Sequence, residues 1–331
     1  MVKLGIEFVP QQKIAKIVGY IKQAEENNFD FAWITDHYNN RNTYVTLAMA
    51  AVQTHKIKIG TGVTNPFLVN PAVTASSIAS IHEVSNGRAI MGIGAGDSTT
   101  LKQLGVEWKK PLTAVKETIT IAKKLWAGET VQHDGEVFKI KNARLNFKNK
   151  FGPIPIYVGA QGPKMLALAA TIGDGVLINA SHPIDMEPAT TKINETLQEK
   201  DNSEDFDIAA YTSFSLANTE EEARKLARPV VTFIVAATPA IVLERHEIAE
   251  VDANKLRELL GKGKIPQAFA AVTDEMIDAF SISGTKDIVT EKMIDLKEIG
   301  VSQLVVGSPI AEDKSKAIEI IGKEILPALK E

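Results

Sequence analysis

The chain has 331 residues, 44% hydrophobic and 24% charged, with a net charge of −4. That is ordinary globular composition, with enough apolar mass for the core of one large α/β barrel. A charge so close to neutral argues against nucleic acid as the main partner. The lack of any cysteine excludes disulfides, thiolate catalysis, iron–sulfur clusters and thiolate metal sites.

The chain opens on MVKLGIEFVP, which reads as a short strand and not as a signal peptide. Its longest apolar run, Pro229 to Leu243, is broken by Thr232, Thr238 and Pro239 and is too short to span a bilayer. A cytoplasmic protein without a membrane partner is expected. Eight β-branched apolar runs follow in order: Lys3–Val9, Phe31–Thr35, Ile57–Thr61, Ala89–Ile93, Ile154–Val158, Gly175–Ile178, Ile208–Phe214 and Gln303–Val306. Amphipathic helical stretches such as Lys13–Asn27, Pro71–Ser85, Pro111–Trp126 and Pro163–Ile172 separate them. The last three open on proline, which suits a first helical turn. Several strands are apolar on both faces, as a helix-covered parallel sheet requires. The alternation predicts an α/β fold, a (β/α)8 TIM barrel, with a doubly wound open sheet as the structural alternative.

Two stretches interrupt the repeat. Residues 130–149 alternate polar and apolar around Asp134-Gly135 and predict a hairpin inserted before strand five. Residues 229–280 exceed what a βα unit of roughly 30 residues needs. They predict a helical insertion between strands seven and eight, over the barrel mouth or at an oligomer contact. The whole, 1–331, is expected to be a single barrel domain.

A barrel of this kind places its site at the C-terminal strand ends. Those ends carry Glu7; Asp36-His37; Gly62-Val63-Thr64-Asn65; Gly94-Ala95-Gly96-Asp97; Ala160-Gln161-Gly162; Asn179-Ala180; and Gly307-Ser308-Pro309. Glycine there lets a large flat ligand approach the backbone closely. Each feature has a plainer explanation. Glycines are common turn residues, Glu7 could be a structural ion pair, Asp36 and Asp97 could be helix N-caps, and His37 could be a core histidine. Convergence favours chemistry. In a barrel, Glu7, Asp36 and Asp97 share one mouth, where desolvation and repulsion would raise at least one pKa for general acid work. The stretch Gly92-Ile93-Gly94 has Asp97 where a dinucleotide fingerprint has its third glycine. The six histidines lack paired helical spacing, so no metal site is expected.

Eight segments together carry a resemblance: GIEFVP (Gly5–Pro10), WITDHYNNRN (Trp33–Asn42), GTGVTNP (Gly60–Pro66), GRAIMGIGAGD (Gly87–Asp97), GAQGPKML (Gly159–Leu166), DGVLINAS (Asp174–Ser181), IVLERH (Ile241–His246) and VVGSPI (Val305–Ile310). In this order and spacing the chain resembles the bacterial-luciferase-like superfamily of flavin and deazaflavin barrels. Within it, the chain is similar to the coenzyme F420-dependent pterin reductases of methanogenic archaea.

The resemblance implies a dissociable coenzyme F420, an 8-hydroxy-5-deazaflavin, in the barrel mouth. It would lie against a bulge with a non-prolyl cis peptide at Gly62–Val63. Asp36, His37, Gly62, Val63, Thr64 and Asn65 would line the ring and polyol. Ala160, Gln161, Gly162, Asn179 and Ala180 would meet its phosphate and tail. Glu7 and Asp97 would lie on the substrate side, with Asp36 beside them. The reaction implied is hydride transfer to 5,10-methylenetetrahydromethanopterin, giving the 5-methyl product, a step of methanogenesis. Glu7 would supply the proton, with Asp97 or Asp36 tuning it. The alternatives are another F420-dependent barrel acting on a secondary alcohol or sugar phosphate, an FMN monooxygenase, or a non-catalytic flavin-binding barrel. A homodimer or homotetramer is expected.

Overall fold

Apolar strands joined through helices must run parallel, because a helical crossover returns the chain to the same end of the sheet. The computed structural model describes residues 2–199 and 206–330. Its strands are β1 (Lys3–Phe8), β2 (Phe31–Ile34), β3 (Lys58–Thr61), β4 (Ala89–Gly94), β5 (Val131–Asp134), β6 (Lys139–Ala143), β7 (Ile156–Gly159), β8 (Gly175–Ile178), β9 (Asp207–Leu216), β10 (Ile282–Gly284) and β11 (Gln303–Ile310). Nine of them form one sheet in the order β10-β9-β11-β1-β2-β3-β4-β7-β8, with β9 also pairing β8. Eight of these strands are the staves of a (β/α)8 TIM barrel. Strand β10 is an extra three-residue strand beside Phe214–Leu216 of β9, too short to show any alternation in the sequence. The pair β5–β6 is antiparallel and stands outside the sheet.

The helices are α1 (Ile14–Glu26), α2 (Thr43–Gln53), α3 (Pro71–Val84), α4 (Ser98–Gln103), α5 (Pro111–Trp126), α6 (Pro163–Ile172), α7 (Pro183–Gln198), α8 (Glu220–Ala237), α9 (Ala240–Arg245), α10 (Glu250–Gly261), α11 (Ile265–Ala270), α12 (Asp274–Phe280), α13 (Lys286–Glu298), α14 (Lys314–Ile320) and α15 (Leu326–Lys330). No helix among the described residues is long and apolar enough to cross a membrane. The chain divides into two compact units: Gly5–Leu177 with Lys192–Ile208, and Met1–Leu4 with Ile178–Thr191 and Ala209–Glu331.

In the first unit the parallel register aligns Glu7 with Trp33, Trp33 with Gly60, Gly92 with Tyr157, and Tyr157 with Gly175. Large and small residues therefore alternate around one layer. Trp33 stacks on Phe31 at 5.9 Å and tilts against Tyr157 at 5.2 Å. A Cβ on Gly60 would lie 2.6 Å from the Trp33 ring, and one on Gly175 would lie 2.5 Å from the Tyr157 ring. The glycines make room for an aromatic plug packed to interior density. The Tyr157 hydroxyl donates to Asp207 at 2.5 Å, which satisfies its polar end.

Two polar clamps brace this unit. Arg88 donates to the carbonyls of Ala51, Thr54, Ile57 and Ser85 and to Thr54 Oγ1, all at 2.8 to 2.9 Å. On α5, Glu117 accepts the backbone N–H groups of Glu136 and Phe138 at 2.7 and 2.8 Å and so ties the β5–β6 turn to the helix. Burial opposes the Glu117 charge, but these donors outweigh it and hold the pKa below the usual carboxylate range.

In the second unit the helical insertion starts earlier than the sequence suggested. Helix α8 begins at Glu220 and runs straight through Pro229. Its buried stripe of Ala223, Ala227, Val231 and Val235 continues on both sides of the proline, so packing outweighs the lost hydrogen bond. From Ala227 onward this stripe forms a separate apolar core with Leu243, Ile248, Ala253, Leu256, Val272, Met276, Ile277, Ala279 and Phe280.

Candidate active site

Beyond the aromatic plug, the C-terminal strand ends of the first unit build a mouth from the chain's own turns. Thr61 sits where β3 leaves β4. Its hydroxyl donates to the Gly92 carbonyl at 2.7 Å and lies 3.0 Å from the Gly92 N–H. The next peptide, Gly62–Val63, is cis. Val63 packs across glycines of two other strands. A Cβ on Gly94 would approach its Cγ2 to 2.9 Å, and one on Gly159 would come within 3.2 Å. Those glycines are what let the bulge lean inward over β4 and β7. Thr64 then rejoins the sheet, its N–H donating to Gly92 and its carbonyl accepting from Gly94, both at 2.9 Å.

Glu7 is 4% exposed and lies between apolar neighbours in β1. As the register partner of Trp33, it faces the same side of the sheet. Asp36 follows β2 and is half-buried. It accepts the Thr64 hydroxyl at 2.6 Å. The following loop is anchored: the Arg41 N–H donates to the Pro10 carbonyl at 3.2 Å, and its guanidinium donates to the Gln11 carbonyl.

His37 lies at the exposed rim. Protein atoms around the mouth displace water from its ring, which lowers its pKa; Asp36 and Asp97 pull it upward, but by less. The imidazole is therefore neutral at pH 7.

Asp97 behaves differently from the other two carboxylates. It is exposed and caps α4, accepting from Thr100 N–H at 2.8 Å and Thr99 N–H at 3.3 Å. Desolvation pushes its pKa up, but the Thr100 hydroxyl and the two amides more than reverse this, and the net shift is downward. These hydrogen bonds hold Asp97 ionised. The Trp108 indole fixes the same loop by donating to the Ala95 carbonyl at 2.8 Å.

The remaining expected contacts divide by position. Asn65 is buried, and its side-chain oxygen accepts the N–H groups of Phe67 and Leu68 at 3.0 and 3.1 Å. Only its amide NH2 end is suited to donate to a ligand. Ala160 is buried, while Gln161 and Gly162 are exposed at the start of α6. A Cβ on Gly162 would meet nothing within 4 Å, and Pro163 opens the helix. An exposed N-terminus of this kind suits an anion.

In the second unit, Asn179 is exposed and Ala180 is buried, just after β8. There Asp185 accepts from Arg245 and His246 of the IVLERH segment, each at 2.6 Å. Burial opposes the Asp185 charge, but these partners keep its pKa low.

Tyr44 and Thr74 escaped the sequence reading. Tyr44, on α2, lies 3.1 Å from Thr64 Oγ1. Thr74, buried on α3, opposes part of the rise in the pKa of this phenol. Both sit in helical patterns whose spacing signals only packing, and no motif marks them.

The chain matches the model of the luciferase-like monooxygenase family over residues 3–303. It is 52% identical over 333 residues to 5,10-methylenetetrahydromethanopterin reductase of Archaeoglobus fulgidus, covering 99% of this chain and 100% of that one. Among solved structures it is similar to the coenzyme F420 dependent tetrahydromethanopterin reductase from Methanopyrus kandleri. That match has a TM-score of 0.93 and 42% identity, with 99% of both chains covered. An F420-dependent secondary alcohol dehydrogenase shares the fold, with a TM-score of 0.83 at 20% identity.

Proposed function

The chain belongs to the luciferase-like monooxygenase family, and on that premise we propose how its barrel mouth works. It transfers a hydride from reduced coenzyme F420 to 5,10-methylenetetrahydromethanopterin, giving the 5-methyl product. The 52% identity to a reductase of that name, over the full length of both chains, carries this reading. The mouth fits such a coenzyme: the Val63 bulge over Gly94 and Gly159 offers a flat apolar wall, and Asp36, Thr64 and Asn65 offer polar groups beside it. The 5-deazaflavin, with carbon at the reactive position, supplies two-electron hydride chemistry when bound.

Asp36, His37, Gly62, Val63, Thr64 and Asn65 would hold the ring and its polyol. Ala160, Gln161 and Gly162 would hold the phosphate at the start of α6, and Asn179 and Ala180 the tail. On the pterin, the bridged methylene must open to an iminium ion before it accepts hydride, and the ring nitrogen so released needs a proton. Glu7 supplies that proton. The carboxylate it leaves behind stabilises the cationic iminium. Asp97, held ionised by its helix cap, contributes a fixed negative charge beside His37 and does not release a proton. Neutral His37 is able to accept a hydrogen bond at pH 7.

Anaerobic mixing of the protein with reduced F420 and methylenetetrahydromethanopterin tests the assignment. Absorbance of the oxidised deazaflavin rises only when enzyme and pterin are both present. F420 binding without a pterin-dependent rise would redirect the search to alcohols and sugar phosphates.

We further infer that the chain assembles with copies of itself. Val45, Met49 and Val52 stand on one face of α2 and are 41% to 59% exposed; Val73 on α3 is 55% exposed. Scattered apolar residues are normal on a surface, but the i, i+4, i+7 spacing makes a continuous stripe. A groove of about 580 Å³ lies between α2 and α3, floored by Ala48, Ala72, Ser76 and Ser77. Small residues there let a second helix pair approach closely. In sedimentation velocity, Met49→Glu combined with Val52→Glu shifts the species to smaller mass. An unchanged sedimentation coefficient would remove this face as the interface.

A further inference from the structure

Thr64 Oγ1 stands 2.6 Å from Asp36 Oδ2 and 3.1 Å from the Tyr44 hydroxyl. Threonine has one hydroxyl proton, and a carboxylate only accepts. Thr64 must therefore donate to Asp36, and Tyr44 must donate to Thr64. The Tyr44 proton is then committed to Thr64. Two hydroxyls, from α2 and the β3 bulge, form a one-way chain that ends on Asp36.

The backbone leaves Thr64 little other freedom. Both its N–H and its carbonyl are bound to β4, and the residue is 1% exposed. Rotation about χ1 is what remains, and a β-branched side chain has few choices there. The Tyr44 hydrogen bond selects the rotamer that reaches Asp36. Burial, and after it the Asp36 charge, pushes the Tyr44 pKa up to about 12, so the phenol keeps its proton throughout the working range.

We propose that Tyr44 is a positioning residue for the coenzyme: acting through Thr64, it holds the Asp36 carboxylate in one orientation and leaves its other oxygen for the ligand. This rests on the reading that Asp36 faces F420. Tyr44 itself needs no contact with the coenzyme.

The test is a binding and turnover series with oxidised and reduced F420 on Y44F, T64V, the double variant and D36N. Folding is followed by circular dichroism. Y44F raises the coenzyme Kd about threefold to tenfold, the scale of one neutral hydrogen bond, and T64V raises it roughly tenfold to a hundredfold. At saturating coenzyme, kcat of Y44F stays within about twofold of the unsubstituted protein. The double variant binds no more weakly than T64V alone, because Tyr44 acts only through Thr64. A purely structural role for Tyr44 would instead make the two losses multiply, and that result overturns the proposal, as does a Y44F Kd equal to that of the unsubstituted protein.

If Y44F is unstable, T64S against T64V reads the same link. Serine keeps both hydrogen bonds and binds near normally, and a serine variant as weak as valine overturns the chain. Should D36N bind F420 normally while the unsubstituted protein also binds it, the placement of Asp36 is wrong. Failure of the unsubstituted protein to bind F420 removes the coenzyme reading itself.

Discussion

Glu7→Gln is expected to lower kcat by roughly 10²- to 10⁴-fold, the usual contribution of a positioned general acid, while the Kd for F420 stays within about twofold. The side chain is buried between apolar neighbours and is aligned with Trp33. Glutamine keeps its shape and hydrogen-bonding capacity but cannot surrender a proton to the pterin nitrogen. Stopped-flow absorbance under anaerobic conditions gives the rate, and a fluorescence titration gives the affinity. Near-normal turnover would end the assignment of Glu7. A parallel loss of coenzyme binding would turn its role from proton supply to site architecture.

Gly92→Ala is expected to cost roughly 3 kcal/mol or more, or to prevent folding. A Cβ at this position would lie 1.9 Å from the Thr61 carbonyl oxygen, which is backbone and has no rotamer through which to escape. Strands β3 and β4 would have to part. That would break the two hydrogen bonds between Gly92 and the Thr61 hydroxyl and the bond from the Thr64 N–H to the Gly92 carbonyl. The Val63 bulge hangs from these bonds, so the proposed coenzyme wall would be lost with them. Gly19→Ala is the matched control. It lies within α1 and meets nothing within 4 Å, so alanine there should stabilise by about 0.5 to 1 kcal/mol. Urea denaturation compares the two. A cost below about 1 kcal/mol for Gly92→Ala would mean that the strands separate easily and that the glycine serves some other purpose.

The three carboxylates at the mouth illustrate how identical chemistry is divided by local structure. Glu7 is placed in an apolar layer, Asp36 at the end of a hydroxyl chain, and Asp97 on a helix cap. Their surroundings differ accordingly: burial for Glu7, a donated hydroxyl for Asp36 and two backbone amides for Asp97.

Much of the barrel was legible in the amino-acid sequence because the signals are local. Apolar runs bounded by glycine and proline located all eight staves, and Asp134-Gly135 located the hairpin. Glycine and acid gather at successive strand ends, the end at which a barrel of this kind places its site. What the sequence could not display are relations between distant residues. Asp97 and its cap adjoin in the chain, but only the start of a helix at Ser98 decides that its charge is held and not raised. Pro229 reads as a boundary until the apolar stripe on both sides of it is seen buried in one core. Strand β10 exists only because β9 offers it an edge. Tyr44 and Thr64 are 20 residues apart, and Thr64 and Asp36 are 28 apart. Such hydroxyls leave no periodicity, because a hydrogen bond depends on distance and direction in space, and only the packing of the helices against the sheet sets these.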